Sequence, residues 1–396
     1  MRGDCSYTFD PDSGSRSADR DSSLTEPWSC PHEAHDDSEY CVVHMSPEAR
    51  DDLGIDDRAV AAAVERAAEA EGREGKQLIG GNFEDLDLSY LVLETGDQFP
   101  LDLRHATVAG TLSLATAELR QPLDLRHASI GDVAFEEAVF REFVDISDAE
   151  IDGEFDAAHA TFVGDVDLIG TRFRGPVSLE EGRFHGDTCL RFTEYEAAAV
   201  FDGVEFRGDA NLLDDDACLE DAVFHERASF RKAEFRYADF VGATFEAVAD
   251  FDEATFTGDG EFRETRFEGD ASFRGAEFRG DMNVEIDDAD FSGAAFGGDA
   301  DFTNGQFALA NFAGATFAGE TLFTEAAFEE DADFRGTTFE SALDLTEARF
   351  REDADLSGVS VGVGARFAER RHGEQETESP EPLHGTAGGV VEQFRR

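Results

Sequence analysis

Phenylalanine recurs at steps of five or six residues over much of this chain. The clearest run contains Phe230, Phe235, Phe240, Phe245, Phe251, Phe256, Phe262, Phe267, Phe273 and Phe278. Most of these positions follow an alanine or glycine by two residues, as Phe240 follows Ala238. A period of five matches neither a helix face nor a strand face. The pattern instead predicts a chain that turns a corner every few residues and buries one large and one small side chain on each face.

A duplicated hexapeptide gives the length of one repeat. Residues 101–106 read Leu-Asp-Leu-Arg-His-Ala, and the same six letters return at residues 123–128. Gly-Asp pairs that begin at Gly164, Gly186 and Gly208 keep the same interval of 22 residues. We interpret these 22 residues as one coil with four faces, in which the longer steps add a turn residue such as Gly or Asp. The duplicated His105 and His127 are expected to be stacked turn residues; a small anion or metal site is the disfavoured alternative.

Short motifs inside the repeat resemble the pentapeptide repeat family, whose consensus is Ala-(Asp/Asn)-Leu-x-x with Leu or Phe at the centre. The clearest copies are Ala238-Asp239-Phe240-Val241-Gly242, Ala289-Asp290-Phe291-Ser292-Gly293, Ala310-Asn311-Phe312-Ala313-Gly314 and Ala354-Asp355-Leu356-Ser357-Gly358. The resemblance covers residues 78–367. It implies an all-β solenoid, a right-handed quadrilateral parallel β-helix, with the central Phe or Leu and the preceding Ala pointing inward. The spacing becomes irregular near Phe135, and the many six-residue steps depart from the family consensus.

Three zones flank the repeat. They are a Cys/His-containing segment at residues 1–50 with a flexible linker at 10–26, a helical cap at 51–77, and a disordered acidic tail at 368–396. The cap contains an alanine-rich stretch that predicts a helix from Asp57 to about Gly72, with Asp56 or Asp57 able to cap its start. We expect this helix to cover the open apolar end of the first coil.

The N-terminal segment contains candidate metal ligands. Cys41 and His44 have the short spacing of zinc ligands, and Cys30 with Cys5 would complete a Cys₃His set. The reserve ligands are His32 and His35. A structural zinc ion would explain how a polar segment with little core stays ordered, because metal binding supplies folding free energy. The alternative, an unstructured tail with incidental Cys and His, stays open, and we favour zinc slightly.

The charge of the chain is strongly negative. Ninety acidic residues face 33 basic ones, which gives a formal net charge of −57, and Lys76 and Lys232 are the two lysines. This composition predicts a haloarchaeal-type, halophilic protein, because molar salt screens repulsion beyond about 3 Å. Mimicry of a polyanion is the competing interpretation. Either way, direct binding to nucleic acid or to an anionic membrane is disfavoured.

The chain shows no signal for a membrane or for secretion. No apolar run approaches the roughly 20 residues of a membrane span, and the residues after Met1 lack the apolar stretch of a secretion signal. We therefore expect a cytoplasmic protein.

Function is less constrained than fold. The chain contains no Gly-x-Ser-x-Gly, P-loop or His-Glu-x-x-His motif, so we expect no catalytic residues and no enzyme. The first hypothesis is a scaffold that binds a protein partner. The family resemblance implies a second, a DNA mimic that binds a type II topoisomerase. A third, a polysaccharide-active β-helix enzyme, is disfavoured because the aromatic residues are used in the interior. An uncovered last coil near Phe367 would favour a homodimer through the C-terminal coil.

Overall fold

The computed structural model describes residues 3–11, 24, 26–208, 216–280 and 288–362. The fold is a parallel β-solenoid of about 12 turns with a short helical N-terminal region, which confirms the predicted fold class. The chain divides into two compact units, residues 1–197 and 198–396. Most of the predicted linker, the whole predicted tail and Phe367 with the end of the C-terminal coil lie outside the described residues.

Short elements precede the solenoid in the first unit. They are β1 (Thr8–Phe9), β2 (Trp28–Ser29), α1 (Pro47–Leu53), α2 (Asp57–Ala68) and a 3-10 turn (Glu74–Lys76). Among the described residues, neither α1 nor α2 has the length and apolar composition of a transmembrane span.

Helix α2 begins where the sequence predicts and ends earlier. The Asp56 side chain accepts a hydrogen bond from the Ala59 amide and so caps the helix. The helix ends at Ala68, ahead of Gly72. It lies against the first coil at the strand Leu86–Asp87. The side chains that it buries are those of Val60, Val64, Ala67 and Ala68.

Four sets of parallel strands form the faces of the solenoid in the first unit. Face 1 contains Asn82–Phe83, Glu150–Ile151, Arg172–Phe173 and Glu194–Tyr195; face 2 contains Leu86–Asp87, Phe155–Asp156 and Val177–Ser178; face 3 contains Val92–Leu93, Glu118–Leu119, Val139–Phe140, Thr161–Phe162 and Arg183–Phe184; face 4 contains Leu101–Asp102, Leu123–Asp124, Val144–Asp145, Val166–Asp167 and Thr188–Cys189.

Two longer strands, Thr107–Ser113 and Ser129–Ala134, run through faces 1 and 2 of the first unit without a break. Their register shifts between Ile130 and Asp132. The irregular spacing near Phe135 therefore has a structural cause, because Gly131 alone stands opposite two residues, Ala109 and Gly110, of the preceding coil.

The second unit repeats the same four faces. Face 1 contains Val223–Phe224, Thr244–Phe245, Arg266–Phe267, Ala295–Phe296, Thr316–Phe317, Thr338–Phe339 and Ser360–Val361; face 2 contains Ala199–Val200, Ala228–Ser229, Ala249–Asp250, Ala271–Ser272, Ala300–Asp301, Thr321–Leu322 and Leu343–Asp344; face 3 contains Glu205–Phe206, Glu234–Phe235, Thr255–Phe256, Glu277–Phe278, Gln306–Phe307, Ala327–Phe328 and Arg349–Phe350; face 4 contains Ala217–Cys218, Ala238–Asp239, Gly260–Glu261, Ala289–Asp290, Ala310–Asn311, Ala332–Asp333 and Ala354–Asp355.

Each position of the five-residue motif has a physical reason. Ala238 and Phe240 are buried inside the solenoid. Asp239, between them, faces outward, and its Oδ1 accepts a hydrogen bond from the Val241 amide at 2.7 Å. Gly242 then takes the left-handed conformation, with φ of 71°, that ends the face. Asparagine can replace the aspartate because its side-chain oxygen closes the same turn.

The Gly-Asp pairs mark corners at which neighbouring coils approach closely. A Cβ added at Gly164 would lie 2.5 Å from the carbonyl carbon of Glu142. The next residue, Asp165, accepts a hydrogen bond from the Asp187 amide at 3.1 Å. Glycine therefore permits the close approach, and aspartate ties one coil to the next.

Aromatic rings fill the interior of the second unit. The rings of Phe251 and Phe273 are stacked, with centroids 4.8 Å apart, and Phe240 and Phe262 stack in the same way. Phe251 also meets Phe240 edge to face at 5.4 Å. These rings therefore contact both the equivalent ring in the next coil and a ring from another face of the solenoid. The aromatic core is thus continuous along the coils.

Candidate metal centre

The ribbon formed by β1 and β2 positions two of the predicted ligands. Its strands pair in antiparallel fashion. The Cys5 amide donates to the His32 carbonyl at 2.9 Å, and the Cys30 amide donates to the Tyr7 carbonyl at 3.0 Å. Both cysteines are buried. The ribbon therefore holds Cys5 and Cys30 close together although they are far apart in sequence.

A tight turn between β2 and α1 positions the other two predicted ligands. The amides of His44 and Met45 both donate to the Cys41 carbonyl, at 3.1 and 3.2 Å. The turn brings Cys41 Sγ to 3.1 Å from His44 Nδ1. The Cys41 amide in addition donates to Cys5 Sγ at 3.2 Å, so the turn and the ribbon meet at the sulfur atoms.

The four ligand atoms form a compact buried group. Cys30 Sγ lies 3.8 Å from Cys41 Sγ, and Cys5 Sγ lies 3.9 Å from His44 Nδ1. All four atoms lie within 4.8 Å of one another. A tetrahedral zinc ion with Zn–S of about 2.3 Å and Zn–N of about 2.0 Å requires separations of roughly 3.5–3.8 Å. With exposures of 5–7%, these side chains could hold a metal ion.

The charges of the group also suit a cation. Cys30 Sγ and Cys41 Sγ share a hydrogen bond that lowers the pKa of Cys41 and raises the pKa of Cys30. Burial raises the pKa of Cys5. Three thiolates in such a site repel one another and are poorly solvated, so a divalent cation would be needed to hold all three deprotonated.

The surroundings of His44 determine which of its nitrogens can bind a metal. His44 Nε2 lies 2.9 Å from the carbonyl oxygen of Ile79, and a proton on Nε2 leaves the lone pair of Nδ1 free for a ligand bond. The Tyr7 ring stacks on the imidazole with centroids 4.0 Å apart. These contacts orient the ring from two sides.

The two reserve ligands lie outside this group. His32 Nε2 contacts the Gln77 carbonyl at 3.0 Å, and His35 Nδ1 accepts a hydrogen bond from the Asp37 amide at 3.4 Å. Sequence reasoning also missed Tyr7 and Ile79, because neither an aromatic ring nor a backbone carbonyl gives a ligand signal in a sequence.

The duplicated histidines occupy the turn positions that the sequence predicts. His105 and His127 have φ of 57° and 58°, and their rings stack with centroids 4.8 Å apart. Phe9, from β1, stacks on His105 at 4.3 Å. The ribbon that carries Cys5 thus lies against a corner of the solenoid.

A second group of metal-type side chains lies in the second unit. Cys218, Glu220 and Asp239 are half-buried and place ligand atoms within 4.8 Å of one another. Cys218 and Asp239 lie in register on neighbouring strands of face 4. The group offers three ligands on a strongly acidic surface, where acidic side chains commonly lie close together without binding a metal ion.

Face 4 of the first unit also carries alternating charges. Arg104 donates two hydrogen bonds of 2.8 Å to Asp102 and lies 3.4 Å from Asp124. Arg126 bridges Asp124 and the next aspartate in the same way, with its nitrogens 2.7 and 3.2 Å from their carboxylates.

The alternation then stops. Asp167 lies in register with Asp145, and Ser147 and then Ile169 occupy the place that Arg104 and Arg126 take in earlier coils. Burial, together with the carboxylates of Asp145 and Asp165, raises the pKa of Asp167 to about 6.

A family comparison matches the repeat and not the metal group. The family profile described as pentapeptide repeats (9 copies) matches residues 135–183, 212–255, 240–285, 283–327 and 323–369. These ranges cover about half of the chain. No curated protein matches the chain.

Proposed function

The chain belongs to the pentapeptide repeat family, and we propose that it is a non-enzymatic scaffold whose N-terminal segment is held in place by a structural zinc ion. The observation that carries the proposal is the buried group of Cys5, Cys30, Cys41 and His44. Three thiolates and one imidazole fill the tetrahedral positions of zinc and leave none for water or substrate. Sulfur ligands also select zinc over magnesium or calcium, which prefer oxygen.

The regular faces of the solenoid support a scaffold role. The interior contains most of the phenylalanine rings, and acidic residues greatly outnumber basic ones in the chain. The proposed partner is a protein that contacts an acidic face. The pairing of Arg104 and Arg126 with the aspartates of face 4 weakens the competing DNA-mimic hypothesis, since a phosphate-like row requires unneutralised charges.

The net charge supports adaptation to high salt, and we propose a cytoplasmic setting rich in salt. A chain with a charge of −57 repels itself at low ionic strength, and molar salt screens this repulsion. The melting temperature should therefore rise steadily from low to molar potassium chloride. A melting temperature that is insensitive to salt would contradict adaptation to high salt. It would instead favour a role for the acidic surface in binding a specific partner.

The zinc proposal is tested by elemental mass spectrometry on protein purified in high salt. The expected result is one zinc ion per chain, lost in Cys41→Ser and retained in the matched control Cys189→Ser. Cys189 lies on face 4, outside the buried group. A wild-type chain without zinc, or a Cys41→Ser chain with an undiminished zinc content, would contradict the proposal.

A further inference from the structure

We propose that metal binding and the capping of the first coil are one coupled event, and that Arg50 is the positioning residue that couples them. The inference rests on the proposed zinc site and assigns it a consequence: the metal-bound segment closes the open β-edge at the start of the solenoid.

The first coil presents backbone groups that its own strands do not satisfy. The strand Asn82–Phe83 pairs on one side with Thr107–Ser113, and its other side faces the N-terminal segment. There the Asn82 amide donates to the Val43 carbonyl at 2.9 Å. The Asn82 carbonyl accepts from Arg50 Nη1 at 2.6 Å. Both edge groups of this residue are therefore capped, as an exposed strand edge requires.

The metal ligands take part in the same cap. Val43 lies inside the turn between Cys41 and His44, so the carbonyl that covers Asn82 belongs to the ligand turn itself. His44 adds a third contact through the hydrogen bond between its Nε2 and the Ile79 carbonyl. A displacement of this turn away from the metal would withdraw two contacts from the first coil.

Arg50 holds the turn from its other side. The Arg50 side chain comes from α1 and is buried, with 2% of the residue exposed. Its Nη1 donates to the carbonyls of Val42 and Met45, at 3.2 and 3.1 Å, besides that of Asn82. The carbonyls of Val42 and Met45 flank the ligand His44. One guanidinium nitrogen thus joins the ligand turn to the edge of the first coil.

Thermodynamic linkage gives the consequence. If metal and docking each favour the same arrangement of the turn, each must strengthen the other by the same factor. Loss of an outer contact of this kind typically weakens metal affinity about 10–100-fold. Removal of the metal should, by the same coupling, loosen the cap over Asn82 without disturbing coils farther along the first unit.

The affinity arm of the test measures zinc binding by competition with a chromophoric chelator. Arg50→Lys keeps the positive charge and loses the guanidinium fork that reaches the carbonyls, so we expect zinc affinity to fall about 10–100-fold. The matched control is Arg58→Lys, at an exposed position of the neighbouring helix α2, and it should leave the affinity unchanged. Equal zinc affinities for wild type and Arg50→Lys would overturn the inference and leave the zinc proposal intact.

The docking arm uses the wild-type chain, so it does not depend on the folding of a variant. Hydrogen exchange of the Asn82 amide should be slow with zinc bound and at least tenfold faster after chelation. The Ile146 amide, which donates to Asp167 within the coils, should exchange at one rate in both states. Equal protection of Asn82 with and without zinc would overturn the coupling. A chain that takes up no zinc contradicts the proposed function, and the inference falls with it.

Discussion

The N-terminal segment and the coils of the solenoid are ordered by different means. In a coil, a side chain such as Phe251 meets its equivalent in the next coil and aromatic rings on other faces, so one contact pattern is repeated many times. The segment that carries Cys5 and His44 has a few short elements and one compact group of ligand atoms. From this difference we expect the coils to tolerate local damage through repetition and the segment to depend on the proposed metal site.

The largest expected effect is the loss of one ligand. Cys30→Ser removes one of the proposed sulfur ligands, and structural zinc in small domains contributes about 10–16 kcal/mol of binding free energy to folding. We expect limited proteolysis to cut the variant between residues 26 and 45 while the coils stay intact. Equal resistance of the segment in wild type and variant would show that its order does not depend on the metal.

A core substitution in the coils should have a smaller and more distributed effect. Phe251 is completely buried among phenylalanine rings, so Phe251→Ala should lower the free energy of unfolding by about 3–5 kcal/mol. The control Phe192→Ala removes an exposed ring and should change stability by less than about 0.5 kcal/mol. Chemical denaturation measures both. Similar losses for the two variants would contradict the assignment of the rings to the interior.

Two glycine substitutions distinguish the cost of a clash between neighbouring coils from the cost of a strained backbone conformation. A Cβ at Gly175 would lie 2.0 Å from the carbonyl oxygen of Gly153, so Gly175→Ala should destabilise by about 3 kcal/mol because two coils must separate. Gly336 has φ of 70° and no atom within 4 Å of an added Cβ. Gly336→Ala should therefore cost only about 1–2 kcal/mol of backbone strain. The reverse order, measured by thermal unfolding, would be inconsistent with the observed spacing of the coils.

The pH dependence of Asp167 offers a subtler test of the coils. Its pKa of about 6 in the folded chain lies above the ordinary value of 3.8, so folding disfavours the charged form. The resulting loss of folding stability is complete above about pH 6 and disappears below about pH 4. Asp167→Asn should therefore stabilise the chain at neutral pH and lose this advantage in acid. A gain that is independent of pH would show that charge is not the cause.

Asp97, beside the helical cap, should behave in the opposite way. A hydrogen bond from Lys76 lowers the pKa of Asp97 to about 2, and the carboxylate also accepts from the Gly72 amide at 2.7 Å. Its stabilising contribution is present above about pH 4 and lost as the pH falls through about 2. Asp97→Asn should therefore destabilise the chain at neutral pH, with a loss that shrinks in acid. A stability curve parallel to that of wild type would contradict the pairing.

The same contrast explains what the sequence could predict. The coils can be predicted directly from the repeated sequence, because the motif represented by Ala238, Asp239 and Phe240 occurs in many copies. The ligand set of the segment was predicted from residue type and short spacing, and the structure brings those four residues together. Arg50 left no comparable signal, since its role depends on three backbone carbonyls that fall near it only after folding. The early end of α2 at Ala68 also follows no sequence rule that we can identify.

X-ray absorption at the zinc edge of the purified chain would identify the atoms bound to the metal. We expect four ligands, with about three sulfur atoms at about 2.3 Å and one nitrogen at about 2.0 Å. The sulfur count should fall in Cys41→Ser and stay the same in Cys189→Ser. A spectrum dominated by oxygen and nitrogen ligands, or one unchanged by Cys41→Ser, would contradict a closed site built from Cys5, Cys30, Cys41 and His44.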